Sequence, residues 1–227
     1  MFIVTGGAGF IGRHIIRSLN EKGINDILVI DDLTDGTKFV NLVALHIADY
    51  MDKAEFIAQI ISGQDFGNIE AILHFGANTS LSERNGKIMM EDNYEYSKHL
   101  LQYCIERNIK FIYASDAAVY GDTTKPLEAQ EYEKPLNLYA FTKLQFDQYV
   151  RNIFIDADEH NEKRPQIVGL RYTQINKVKD PSHLSINEVC QLNSWLLENP
   201  QVFGIYNVGR AIKINTNKLK KIGYTIE

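Results

Sequence analysis

The first twelve residues constrain the fold more than any other stretch. Phe2, Ile3 and Val4 form a continuous apolar run, as in a strand covered on both faces of a parallel sheet. Gly6, Gly9 and Gly12 follow at three-residue spacing, and the apolar positions after them recur with helical period. Strand, glycine turn and helix in that order form the context in which a glycine pattern cradles a pyrophosphate. One glycine permits the tight turn, one lets backbone approach phosphate, and one lets the helix pack closely on the strand. A helix starting here aims its N–H groups and the positive end of its dipole at the phosphates.

The rest of the chain repeats the alternation. Ile11 to Lys22 reads as a helix ended by Gly23, and Ile27 to Ile30 as a second buried strand ending in Asp31-Asp32. Asp31 lies 22 residues beyond Gly9, about where such folds place the acid that meets the adenosine ribose. Leu33 to Asn41 reads as a loop. Val43, Leu45 and Ile47 alternate with polar or small residues and predict a short strand, and Asp52 caps a helix through Ile61. Strands are expected at Ala71–His74, Phe111–Ala114, Ile167–Leu170 and Phe203–Gly209. Helices are expected at Asp92–Arg107, Leu138–Ile153, Ser185–Glu198 and Thr216–Ile222, and a loop at Asn176–Ser182. This order predicts an α/β, Rossmann-type doubly wound parallel sheet of six or seven strands. The expected organisation is a dinucleotide-binding domain over residues 1–172, with residues 173–227 a reduced appendage packed on it, too small for its own core.

Composition narrows the function classes. The net charge of -5 and the lack of a dense basic run, apart from Lys218, Lys220 and Lys221, argue against nucleic-acid binding. No apolar run approaches the ~18–20 residues of a membrane span, so no membrane partner is expected. Cys104 and Cys190 fall in apolar helical patterns, which predicts a reducing, cytoplasmic setting. No metal-ligand spacing occurs among the histidines and cysteines, so no metal is expected.

Five segments carry a resemblance: Val4–Gly12, Asp35–Leu42, Ile47–Lys53, Tyr132–Asn137 and Tyr139–Lys143. Through them the chain resembles the extended short-chain dehydrogenase/reductases, and within that group the ADP-L-glycero-D-manno-heptose 6-epimerases. The match is nearly continuous over residues 1–172, weaker over 185–209 and faint at 216–224, and the family's longer substrate-binding part is lacking. The resemblance implies NADP-dependent hydride transfer at a carbinol of a nucleotide sugar. It makes Tyr139 the acid/base group, with Lys143 one helical turn on. A lysine cation beside a phenol favours phenolate and lowers its pKa. On the cofactor side the resemblance places Gly6, Gly9, Phe10, Ile11 and Gly12 at the pyrophosphate. It places Asp31, Asp32, Lys38 and Lys53 at the adenosine end, and Phe75, Gly76, Ala77, Asn78 and Thr79 along the nicotinamide. Asn93 falls near the start of the active-site helix. The two lysines point to NADP, while the adjacent carboxylates Asp31 and Asp32 would favour the ribose diol of NAD.

The chain departs from the family at two places. Asp116 stands where the family has Ser or Thr. An ionised aspartate only accepts hydrogen bonds, and its charge would raise the pKa of Tyr139. Ser115 is adjacent but should point to the other side of the strand. Arg171-Tyr-Thr-Gln-Ile-Asn-Lys-Val178 keeps the family's Arg-Tyr but not the turn after it. Gln174 could replace an Asn chemically, while Lys177 and Lys179 give no convincing second base. Three readings follow: an epimerase or oxidoreductase with Asp116 as a surrogate base, a dinucleotide-binding protein that has lost turnover and serves sensing, sequestration or protein contact, or an altered enzyme using a smaller substrate. A homo-oligomer could supply the missing cover from a neighbour.

Overall fold

A computed structural model describes residues 1–226, except 124–127, 161–163, 177–182 and 211–215. In chain order the elements are β1 (Phe2–Thr5), α1 (Phe10–Glu21), β2 (Ile27–Asp31), β3 (Asp49–Asp52), α2 (Lys53–Ile61), β4 (Ala71–His74), α3 (Gly86–Met90), α4 (Tyr96–Arg107), β5 (Lys110–Asp116), α5 (Leu138–His160), β6 (Ile167–Tyr172), β7 (Ile175–Asn176), β8 (Leu184–Ser185), α6 (Ile186–Glu198), β9 (Gly204–Val208) and α7 (Asn217–Lys221). Seven strands form one sheet in the order β3-β2-β1-β4-β5-β6-β9, and all its pairs are parallel. The short strands β7 and β8 pair with each other.

The strand sequences dictate two covered faces. Phe2 and Val4 point into one apolar layer and Ile3 into the other, and Ile27 and Val29 oppose Leu28 and Ile30 in the same way. The first layer is closed by Ile15, Ile16 and Leu19 of α1 and by Val189, Leu192 and Leu196 of α6. The second is closed by Phe56 and Ile60 of α2, Leu100, Leu101 and Cys104 of α4, and Phe146 and Val150 of α5. Helices therefore cover both faces, as a doubly wound sheet requires. Strand β9 extends the sheet beyond β6, so the C-terminal stretch shares the main core.

Local signals explain most boundaries. Asp52 caps α2 by accepting from the Ala54 N–H at 2.8 Å, and Ser185 caps α6 in a capping box with Glu188. One expected strand is absent. Val43, Leu45 and Ile47 do not form a strand. Val43 is exposed, and Leu45 and Ile47 instead pack against the core from the loop. Strand β3 is one edge of the sheet; its Asp-Tyr-Met-Asp sequence shows no apolar alternation, because Tyr50 and Met51 pack on opposite faces between two exposed aspartates. The loop expected at Leu33–Asn41 contains a turn of 3₁₀ helix over Gly36–Asn41, and the helix expected from Asp92 starts with a turn of π-helix over Glu91–Glu95. Most of the loop expected at Asn176–Ser182, with Lys177 and Lys179, lies outside the described residues. Among the described residues no helix is long and apolar enough to cross a membrane.

Candidate cofactor site and active site

The strand order reverses at β1, whose neighbours are β2 and β4, and chain directions diverge there. Open α/β sheets bind ligands in the crevice beyond the strand C-termini at such a point. A cleft of about 1520 Å³ lies there, and its walls include the glycine turn after β1, the end of β2, the turn after β4, the end of β5 and the start of α5.

The glycine turn is built by close approach. Gly6 adopts φ +68°, and a Cβ there would lie 2.6 Å from the Gly76 nitrogen, so the turns after β1 and β4 touch backbone to backbone. A Cβ at Gly12 would collide with the Gly6 carbonyl oxygen, so helix α1 sits directly on the turn. No side chain caps α1, and its first turn carries no carboxylate. The first N–H groups of a helix have no intrahelical acceptor, so this end, lining the cleft at Phe10, Ile11 and Gly12, suits an anion.

The end of the cleft beside β2 carries paired charges. The Asp31 carboxylate accepts from the Ala8 N–H at 2.8 Å, the Asp32 N–H at 2.7 Å and Lys38 Nζ at 2.5 Å. Lys38 also donates to the Asp32 carbonyl at 2.6 Å. Lys53 Nζ sits 3.5 Å from Asp32 Oδ2 and 3.4 Å from Asp92 Oδ1. Asp32 is held down at about 2, chiefly by hydrogen bonds from Thr34 and also by the Lys53 charge. Asn41 donates to the Ala8 carbonyl at 2.8 Å and accepts from Arg13, which fastens the loop to the glycine turn. An uncapped helix end, a glycine-rich turn and a carboxylate at the end of β2 together fit the pyrophosphate and a ribose of a dinucleotide.

Phe75 to Thr79 form the opposite wall, and buried polar groups hold them in place. Asn93 does not line the cleft. It is buried behind this wall, accepts from the Asn78 N–H at 2.7 Å and donates to the Asn78 carbonyl at 2.9 Å and to Thr142 Oγ1 at 3.1 Å. It therefore ties the wall to α5. His74 bridges Thr5 Oγ1 at 2.6 Å and Ser97 Oγ at 2.8 Å, and Thr5 Oγ1 accepts from the Gly76 N–H at 3.2 Å. Burial, and then the Lys143 charge, push His74 down to about 3, so it bridges as a neutral ring.

Asp116, Tyr139 and Lys143 meet in the cleft. Tyr139 donates its hydroxyl to Asp116 Oδ2 at 3.0 Å, and Asp116 Oδ1 accepts from the Ala118 N–H at 2.7 Å. Lys143 is buried and donates to the Ala114 carbonyl at 2.8 Å; its Nζ is 5.9 Å from the Tyr139 ring centre. Burial pushes Lys143 down to about 8, and the Asp116 and Asp147 charges oppose that fall. The expected lowering of the phenol by Lys143 does not prevail. Burial first, then the Asp116 charge and hydrogen bond, push Tyr139 well above the usual phenol range. Burial also raises Asp116, with the Ala118 N–H, Tyr139 and Lys143 working against it. Ser115 donates to Asp147 Oδ2 at 2.9 Å, away from Tyr139, in a buried group completed by Tyr113 and Arg171. Strand alternation sends adjacent side chains to opposite faces.

The cleft thus brings together every residue expected at the site except Asn93. It adds Asp92, Tyr96, Ser80, Leu81 and Thr173, which the sequence reading passed over. Only Asp92 carried a signal: it adjoins Asn93 at the head of an apolar helical run. Gln174, noted in the sequence only as a chemical stand-in, also lines the cleft.

Comparison with known proteins bears on the family and the fold. The sequence model of the NAD dependent epimerase/dehydratase family matches residues 2–173. Among solved structures, the fold is similar to ADP-L-glycero-D-manno-heptose-6-epimerase of Helicobacter pylori, with TM-score 0.72, 22% identity, and coverage of 92% of this chain and 76% of that one. It is similar to UDP-N-acetylglucosamine 4-epimerase of Methanobrevibacter ruminantium, solved with UDP-N-acetylmuramic acid, with TM-score 0.74, 23% identity, and coverage of 97% and 80%. It is also similar to UDP-glucuronic acid 4-epimerase of Bacillus cereus, solved with NAD, with TM-score 0.72, 18% identity, and coverage of 92% and 78%. At these identities the structures establish a common fold, and the sequence model adds the lineage. The chain belongs to the NAD dependent epimerase/dehydratase family.

Proposed function

We propose that this chain is a nicotinamide-dinucleotide-dependent epimerase or oxidoreductase acting at a carbinol of a nucleotide sugar, with ADP-glycero-manno-heptose the first substrate to test. The observation that carries the reading is the meeting of Asp116, Tyr139 and Lys143 in the same cleft as the glycine turn. The turn, Asp31 and the wall from Phe75 to Thr79 hold the dinucleotide, NADP or NAD. A bound nicotinamide supplies a hydride acceptor. The protein's part is the proton: Tyr139 takes it from the carbinol hydroxyl as its own phenolic proton passes to Asp116 Oδ2. Lys143, fixed on the Ala114 carbonyl, supplies the cation that offsets negative charge at Tyr139.

A second reading is favoured by one observation: the Tyr139 hydroxyl is already engaged by Asp116, and that carboxylate opposes phenolate. In this reading the chain binds the dinucleotide without turnover and serves as a sensing, sequestering or protein-interaction partner. The test mixes stoichiometric protein, loaded with cofactor, with ADP-heptose and follows the epimer ratio. Conversion supports the enzyme. Cofactor binding without conversion of this or any UDP-sugar supports the binding protein. Absence of cofactor binding sinks both.

A further inference from the structure

We infer that Asp147 is a positioning residue of this site: its buried carboxylate ties the end of β5 to α5 and so sets the contact between Asp116 and Tyr139. The inference rests on the proposed reading of Asp116 and Tyr139 as the proton-transfer pair. The two side chains come from different elements, Asp116 from the last position of β5 and Tyr139 from the first turn of α5. At 3.0 Å their hydrogen bond lies at the long end of the range for two oxygens, so a shift of about half an ångström breaks it. The strand end and the helix must therefore be held in a fixed relation. Lys143 does part of this through the Ala114 carbonyl at 2.8 Å. Asp147, one helical turn further on, ties the next residue of the strand.

The Asp147 carboxylate is fully buried and is met by three donors. Tyr113 donates to its Oδ1 at 2.8 Å, and Ser115 and Arg171 donate to its Oδ2 at 2.9 and 2.7 Å. Ser115 and Arg171 are register partners across β5 and β6, and strand alternation puts Tyr113 on the same face as Ser115. Ser115 immediately precedes Asp116, so holding Ser115 against α5 fixes where Asp116 enters the cleft. Arg171 extends the tie to the connection between strand and helix. It donates to the Tyr120 hydroxyl at 2.7 Å and meets the Glu133 carboxylate at 2.7 Å, and these two residues flank the stretch that joins Asp116 to Tyr139. A buried carboxylate that depends on three donors is costly to displace, which suits it to setting a distance. The Asp147 charge also supports the Lys143 cation against burial.

The test reads the Tyr139 phenol by NMR of the full chain carrying tyrosine labelled with carbon-13 at Cζ, the Tyr139 resonance being assigned from Tyr139→Phe. Asp116→Ala gives the position of a phenol without its carboxylate partner. Asp147→Asn takes a carboxylate from the buried Arg171 and endangers the fold, so Ser115→Ala is the main variant: it removes one donor and keeps the Tyr113 and Arg171 bonds. Ser115→Ala is expected to move the Tyr139 resonance at least halfway to its position in Asp116→Ala. Gln166→Ala, which removes buried hydrogen bonds to the Leu196 and Asn199 carbonyls, is the control for general loosening and is expected to leave the resonance in place. With a nucleotide sugar that reduces the cofactor, Ser115→Ala is expected to slow single-turnover reduction about tenfold while cofactor affinity changes less than about twofold. A Tyr139 resonance unmoved by Ser115→Ala, or moved as far by Gln166→Ala, overturns the inference. A wild type without turnover overturns the proposed reading, and the resonance still decides the role of Asp147.

Discussion

Replacing Asp116 by serine probes the contact that most affects Tyr139 in the cleft. The carboxylate lies 3.0 Å from the Tyr139 hydroxyl. At an effective dielectric constant of about 20, a unit charge at that distance costs the phenolate about 5 kcal/mol, or about four pKa units. The cleft is open to water and serine retains a hydrogen bond, so about half of this, roughly two units, is expected to be recovered. Burial, the largest cause of the upward shift, is unchanged, so the phenol stays above its ordinary value. Lys143 moves the other way: it loses a carboxylate that supports its charge and falls below about 8. The assay is the tyrosinate absorbance difference between matched proteins with and without Tyr139→Phe, in wild-type and Asp116→Ser backgrounds. A phenol that titrates at the same pH in both backgrounds, or higher in the serine variant, refutes the electrostatic account of this site.

Other perturbations test the scaffold that holds the site. Gly12→Ala places a methyl group against the Gly6 carbonyl and should cost roughly 3 kcal/mol or more, read as a lowered thermal midpoint together with lost NADH binding. Asn93→Ala leaves the Asn78 N–H and carbonyl without their partner, at about 1–3 kcal/mol per group in urea unfolding, and should weaken dinucleotide binding through the loosened wall. His74 titrates near 3 folded and 6.5 unfolded, so between those values the unfolded chain binds the extra proton. Its contribution, on the order of 5 kcal/mol, is full above pH 6.5 and is lost as pH falls toward 3. His74→Gln should flatten the urea midpoint across that window, and an unchanged slope would contradict a neutral bridging ring.

The fold was legible because its signals are local and repeated. Buried parallel strands read as apolar runs such as Ile27–Ile30, and caps such as Asp52 and Ser185 mark helix starts without tertiary information. Strand β3 was not legible, since an edge strand of sequence Asp-Tyr-Met-Asp offers no pattern, whereas Val43, Leu45 and Ile47 alternate without pairing. Within the site, residue identities were visible but pairings were not. Nothing in the sequence says that Lys38 closes on Asp31, or that Asn93 faces the back of a wall rather than the cleft. The sign of the shift at Tyr139 was equally hidden, because Lys143 and Asp116 predict opposite directions. Burial and the 3.0 Å contact decide it.

The most direct test of the account is a single-turnover experiment with stoichiometric protein, oxidised cofactor and a panel of nucleotide sugars, followed by the near-ultraviolet absorbance of reduced nicotinamide. The account predicts that at least one nucleotide sugar produces reduced nicotinamide with the wild type, and that Tyr139→Phe abolishes the signal while still binding cofactor. Cofactor bound by the wild type with no reduction by any of them would contradict a working Asp116–Tyr139–Lys143 site and leave a binding protein in its place.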